Sequence, residues 1–159
     1  MTSGVDVSNL SDGGRIPASA GLSIVVPAFN EGAGLEPLHA RLCNLAATLK
    51  QRYGLTCEVV YVDDGSTDTT LSVARNLAAN ALDVQVVSLS RNFGKEAALM
   101  AGLDHARRGA VLFMDGDGQH APELVEKLVG HWIDDGYDVG YTAKAHRDNE
   151  SFLRRLSVR

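Results

Sequence analysis

Short apolar runs alternate with stretches of helical periodicity along this chain. Leu22–Val26 is apolar and rich in β-branched residues, and Pro27 is expected to stop it. Leu35, Leu38, Leu42, Leu45 and Leu49 then recur at the spacing of one helix face. Val59–Val62 reads as a second strand, closing on Asp63 and Asp64. Asp68 or Thr69 is a good cap for the helix that follows, with Leu71, Ala74, Leu77 and Ala78 as its apolar face. Val84–Leu89 is a third strand, followed by a helix carrying Leu99, Met100 and Leu103. Ala110–Met114 is a fourth. Pro122 suits the first turn of a helix whose face is Leu124, Val125, Leu128 and Trp132. Asp138–Thr142 reads as a fifth, weaker strand.

Strands alternating with helices at this spacing predict βαβ units, so an α/β fold with a mainly parallel sheet flanked by helices. The crossovers are expected to be right-handed. The unusual polar residues fall at corresponding places. Asn30 and Glu31 follow strand one, and Asp63 and Asp64 end strand two. Arg91, Asn92 and Lys95 follow strand three, and Asp115 and Asp117 follow strand four. In a parallel sheet all four sets emerge at the carboxyl edge, where open α/β sheets bind ligands.

The most informative segment is Phe113-Met114-Asp115-Gly116-Asp117-Gly118-Gln119-His120. Two carboxylates two residues apart, with Gly116 and Gly118 permitting a turn, can point at one spot. Their oxygens, with that of Gln119, are hard ligands suited to Mg²⁺ or Mn²⁺. The same residues also fit a polar turn in which each Asp caps a neighbouring amide. A calcium loop fits less well, because His120 stands where such a loop needs glycine and a strand precedes it. Asp63 and Asp64 are poor core residues, since buried charge is costly, and they suit hydrogen bonds to a base or ribose. Arg91-Asn92-Phe93-Gly94-Lys95 places cations near a helix N-terminus, an arrangement suited to phosphate and equally to a solvated turn. There is no G-x-G-x-x-G and no Walker A pattern.

Composition narrows the class further. The chain of 159 residues is 45% hydrophobic and 22% charged, enough apolar material for one core. A net charge of −5 argues against nucleic-acid binding by bulk electrostatics. The two cysteines, Cys43 and Cys57, form no zinc-like spacing and fit reduced thiols in a cytoplasmic setting. Residues 1–21 read as a flexible leader rather than a signal peptide. No apolar run approaches the ~20 residues of a membrane span.

Taken in order, Val25-Val26-Pro27-Ala28-Phe29-Asn30-Glu31, Asp63-Asp64-Gly65-Ser66-Thr67-Asp68-Thr69-Thr70, Arg91-Asn92-Phe93-Gly94-Lys95 and Met114-Asp115-Gly116-Asp117-Gly118-Gln119-His120-Ala121-Pro122-Glu123 resemble family 2 glycosyltransferases. The Gln119-His120-x-Pro122-Glu123 continuation is similar to the polyprenyl-phosphate branch, which includes dolichol-phosphate mannosyltransferases and bactoprenol glucosyltransferases. The resemblance implies a GT-A fold, a Rossmann-like nucleotide-binding domain, over residues 22–159 and incomplete before the acceptor region. It implies Pro27, Phe29, Glu31, Asp63 and Asp64 near base and ribose, and Asp115, Asp117 and Gln119 as ligands of Mg²⁺ or Mn²⁺. Asp117 and Arg147 would serve catalysis, Lys144 and Arg147 the diphosphate, and Arg155 the acceptor phosphate. Lys144 stands where an arginine is usual, which keeps the charge but loses the bidentate fork.

The implied reaction moves a sugar from a UDP- or GDP-sugar to a polyprenyl phosphate. An acceptor phosphate is already an anion and needs alignment rather than a general base. The tail Lys144–Arg159 holds five cations and two carboxylates. Phe152, Leu153 and Leu156 can form an apolar side against the cytoplasmic face of a membrane, or one side of an ordinary exposed helix. Two other readings stand beside the enzyme: a catalytically incomplete nucleotide- or metal-binding fragment of the same fold, and a receiver-like phosphotransfer domain.

Overall fold

A computed structural model describes residues 20–80, 82–117, 122–135 and 156–158. Strands β1 (Leu22–Ala28), β2 (Cys57–Asp63), β3 (Asp83–Ser88) and β4 (Ala110–Phe113) alternate with helices α1 (Gly32–Tyr53), α2 (Thr70–Arg75), α3 (Lys95–His105) and α4 (Pro122–Asp135). The sheet order is β3-β2-β1-β4-β5, with β5 at Leu156–Val158. The first four strands are parallel, and β5 pairs antiparallel with β4. The α/β reading from hydrophobic pattern therefore holds. Asp138–Thr142, the expected fifth strand, lies outside the described residues. Leu156, read from sequence as part of an amphipathic side, belongs to a strand opposite Leu112.

Alternation along β1 divides the core in two. Leu22, Ile24, Val26 and Ala28 face one side, with Val59, Tyr61, Leu112 and the apolar faces of α1 and α4. Val25 faces the other, with Val60, Val62, Val111 and Ala98 of α3. Leu35, Leu38, Leu42, Leu45 and Leu49 are all buried, as their spacing predicts. Gly54, in the left-handed region, ends α1 with its N–H on the Lys50 carbonyl.

Three local expectations are corrected. Pro27 does not stop β1; it pairs in register with Val62. Ala28 turns its carbonyl to β2, accepting from the Asp64 N–H, while Val25 turns its carbonyl to the β4 side, accepting from the Met114 N–H. Pro27, two residues beyond Val25, thus faces the β4 side, where the ladder has already ended at Phe113. A proline there costs no ladder bond. Met100 is 58% exposed, while Leu99 and Leu103 pack partly buried against the core beside the buried Ala98 and Gly102. A Cβ on Gly102 would lie 2.2 Å from Val25 Cγ1, so small residues let α3 settle directly on the sheet. Helix α2 ends at Arg75, so Leu77 and Ala78 lie beyond it.

The amino edge of the sheet carries a buried polar network that the hydrophobic pattern did not single out. Glu58 is 2% exposed and in register with Ser23. Its Oε1 accepts from Ser23 Oγ at 2.5 Å and from the Arg107 N–H at 2.6 Å, and its Oε2 from Gln85 Nε2 at 2.9 Å. The Arg108 N–H donates to Ser23 Oγ at 3.0 Å. One carboxylate thus ties β1, β2, β3 and the α3–β4 turn together. Burial pushes the Glu58 pKa up, but the bonds from Ser23, Arg107 and Gln85 and the charge of Arg108 outweigh it and hold the group below its ordinary value.

A carboxyl with a lowered folded pKa stabilises above its unfolded value of about 4.3 and loses that contribution as pH falls through the folded value. Glu58→Gln, which turns amide hydrogens towards existing donors, is expected to cost roughly 2–4 kcal/mol at neutral pH. The gap to wild type should close as the pH drops below about 4. Urea unfolding at pH 7 and pH 3.5 checks this; an equal gap at both would contradict the assignment.

Candidate functional site

Strand order 3-2-1-4 places β2 on one side of β1 and β4 on the other. The strand order changes direction at β1 and β4, the kind of switch point at whose carboxyl edge open α/β sheets bind ligands in a crevice. The loop after β1 carries Phe29, Asn30 and Glu31. The loop after β4 carries Asp115, Gly116 and Asp117. Gly116 is buried, and a Cβ there would lie 2.9 Å from the Pro27 carbonyl oxygen. This close approach brings the Asp-Gly-Asp turn onto the end of β1.

The loops after β1 and β2 are joined bond by bond. Asn30 adopts φ 52°, a left-handed conformation asparagine tolerates. Its N–H donates to Ser66 Oγ at 2.9 Å, and its Oδ1 accepts from the Thr67 N–H at 2.9 Å. The Glu31 N–H donates to Thr70 Oγ1 at 2.9 Å, and the Gly32 N–H to Asp68 Oδ2 at 3.2 Å. Asp68 also accepts from the Thr70 N–H at 2.9 Å and from the Thr70 hydroxyl. One carboxylate thus caps the starts of α1 and α2. The Thr70 hydroxyl and these amides hold the Asp68 carboxyl below its ordinary range.

Asp63 and Asp64 are both buried, each 4% exposed. Asp63 Oδ1 accepts from the Ser66 N–H at 3.2 Å. Asp64 spreads its two oxygens over the next loop: Oδ1 accepts from the Phe93 N–H at 2.8 Å and Oδ2 from the Gly94 N–H at 3.1 Å. Gly65, at φ 68°, lies against the same loop, and a Cβ there would stand 2.2 Å from the Arg91 carbonyl carbon. Only glycine fits that backbone contact. The geometry gives Asp64 a structural task that adjacency in sequence did not reveal. Its signal was the glycine directly after the paired aspartates.

Lys95, read from sequence as a phosphate cation, forms an ion pair with Asp115 Oδ1. Arg91 stacks over the Phe93 ring, 4.5 Å from its centroid. Phe29 is 45% exposed, leaving its ring accessible at the end of β1. Burial, then the charge of Asp117, then that of Asp68, raise the Glu31 pKa above its ordinary value. The crevice is therefore a field of negative charge with one ammonium set in it. The sequence-predicted Pro27, Phe29, Glu31, Asp63, Asp64, Asp115 and Asp117 all lie at this one edge. Gln119, His120, Lys144, Arg147 and Arg155 lie outside the described residues. Among the described residues no three His, Cys, Asp or Glu side chains form a metal cluster, and none of the helices is long and apolar enough to cross a membrane.

The fold and the position of the crevice define an α/β protein of the GT-A type. Its backbone superposes on TarS of S. aureus in complex with UDP-GlcNAc with a TM-score of 0.64, at 26% identity over 82% of this chain and 37% of that one. It superposes on the mannosyltransferase PcManGT from Pyrobaculum calidifontis, in complex with GDP-Man and Mn²⁺, with a TM-score of 0.59, at 30% identity over 79% of this chain and 35% of that one. The sequence profile of Glycosyl transferase family 2 matches residues 23–159, and the chain belongs to that family. An uncharacterized glycosyltransferase of Synechocystis sp. is 41% identical over 87% of this chain and 42% of its own length. The undecaprenyl-phosphate 4-deoxy-4-formamido-L-arabinose transferase of Edwardsiella ictaluri is 36% identical over 86% of this chain and 41% of its own. The chain spans about two fifths of the length of these curated relatives.

Asp64→Ala should unfasten the loop after β3. Amide exchange at Phe93 and Gly94 is expected to accelerate, and global stability to fall by about 2–3 kcal/mol. Unchanged protection at those two amides would show that the carboxylate does not hold the loop.

Proposed function

We propose that this chain is the donor-binding part of a glycosyltransferase that moves a sugar from a UDP- or GDP-sugar to a polyprenyl phosphate. The observation that carries the reading is the meeting of Asp115-Gly116-Asp117 with Glu31 at the β1/β4 crevice. Relatives with polyprenyl-phosphate transferase names support the acceptor class. Neighbours solved with UDP-GlcNAc and GDP-Man support a nucleotide-sugar donor. In this reading Phe29, Glu31 and Asp63 border base and ribose beside Pro27, and Asp64 supports them through the loop it holds.

The carboxylates of Asp115 and Asp117 suit Mg²⁺ or Mn²⁺, and the ammonium at Asp115 shows that one of these oxygens already draws a cation. Two protein carboxylates are a donor set for an ion that also takes phosphate oxygens and water, and Gln119 would add a third ligand. Such an ion neutralises charge on the departing nucleoside diphosphate. The acceptor phosphate needs positioning by a cation, a task for Arg155 with Lys144 and Arg147 on the diphosphate, and no proton removal. The full reaction would sit at the cytoplasmic face of a membrane, where a polyprenyl phosphate presents its headgroup.

A second reading stands alongside: a nucleotide- or metal-binding fragment of such an enzyme, which turnover of a sugar nucleotide by this chain would separate from the first. The receiver-like alternative is set aside by topology. A receiver places β3 beside β1, in the order 2-1-3-4-5, whereas here β4 lies beside β1.

Calorimetric titration with UDP and GDP, each with and without Mn²⁺, tests the reading. One nucleotide should bind in the presence of Mn²⁺, and Asp117→Ala should weaken it by a factor of ten or more, about 1.4 kcal/mol. Nucleotide binding that neither Mn²⁺ nor Asp117→Ala alters would sink the assignment.

A further inference from the structure

Lys95 is the first residue of α3, a position where the helix dipole disfavours a cation. Its placement there calls for a partner, and the structure supplies one across the crevice: Nζ pairs with Asp115 Oδ1 on the loop after β4. The pair joins two loops that otherwise belong to different strands. Its backbone root is fixed, because Asp64 holds the amides of Phe93 and Gly94 immediately before it. Its side chain is 45% exposed while that of Asp115 is 14% exposed, so the ammonium reaches in from solvent to a sheltered carboxylate. Asp117, Glu31 and Asp68 share the same electrostatic neighbourhood. A lone carboxylate in that company is costly, and the lysine offsets it.

Resting on the metal and donor site proposed above, we infer that Lys95 is a positioning residue that exchanges partners on loading. Without ligand it holds Asp115. On loading, Asp115 would serve a divalent cation, and the Lys95 ammonium it releases would turn to phosphate. The pinned start of α3 keeps the swing within the reach of one lysine side chain. The exchange keeps the charge at Asp115 compensated in both states, and it makes cation and nucleotide bind best together.

Mn²⁺ binding to the chain, read from the electron paramagnetic resonance signal of free Mn²⁺, separates this from a merely structural ion pair. Lys95→Met removes the competitor and should tighten Mn²⁺ alone roughly two- to fivefold, the scale of a part-exposed ion pair. The same variant should weaken UDP or GDP binding in the presence of Mn²⁺ by roughly tenfold. Lys95→Arg, which keeps the charge, should behave like wild type for Mn²⁺ alone. Mn²⁺ affinity unchanged or weaker in Lys95→Met, or nucleotide binding that it leaves intact, overturns the exchange while leaving the site assignment standing. Mn²⁺ binding that survives Asp117→Ala undiminished overturns the metal site itself, and the exchange with it.

Discussion

The carboxylate of Asp64, laid across the amides of Phe93 and Gly94, connects the parts of the crevice that a sheet alone would leave independent. Parallel strands deliver loops to one edge, but nothing in the ladder fixes how those loops sit against one another. Here Asp64 and Gly65 bind the loop after β2 to the loop after β3, and Asp68 and Asn30 bind it to the loop after β1. Gly116 presses the loop after β4 onto the Pro27 carbonyl. The buried acid is tolerated because each oxygen has an amide, and the helix N-terminus at Gly94 favours negative charge.

The two edges of the sheet use acidic residues for different ends. At the amino edge Glu58 is enclosed by donors and its charge is spent on holding strands and a turn in place. At the carboxyl edge Glu31, Asp115 and Asp117 gather, and the Lys95 ammonium pairs with Asp115 among them. Carboxylates gathered at a topological switch point suit a cation-dependent phosphate site. Membership in Glycosyl transferase family 2 agrees with that reading of the edge.

Much of this architecture is written in periodicity. The five leucines of α1 and the apolar runs of β2 and β4 are one-dimensional signals of burial that hold, and the run of β3 forms a strand that is only partly buried. The failures share a cause: they depend on what a neighbouring element offers. Pro27 stays in its strand only because β4 ends before reaching it. Met100 stays exposed because the closeness of Gly102 to Val25 turns α3 so that Ala98 and Gly102, flanked by Leu99 and Leu103, meet the sheet. The gathering of the polar residues of the first four loops at one edge was legible from strand order, since topology alone brings them there. Their pairings were not: the Lys95–Asp115 bond and the Asp64 clamp are long-range, and a local motif carries no trace of its partner.

The central claim is that one cation site lies between the loops after β1 and β4, within reach of the start of α3. Paramagnetic broadening of backbone amides by Mn²⁺, in the presence of UDP or GDP, maps that point directly. The account predicts that the amides of Glu31, Asp115, Gly116, Asp117 and Lys95 broaden first, while those of Glu58, Gln85 and Arg107 at the opposite edge stay sharp. Broadening centred elsewhere on the chain, or spread evenly over its acidic surface, would contradict it.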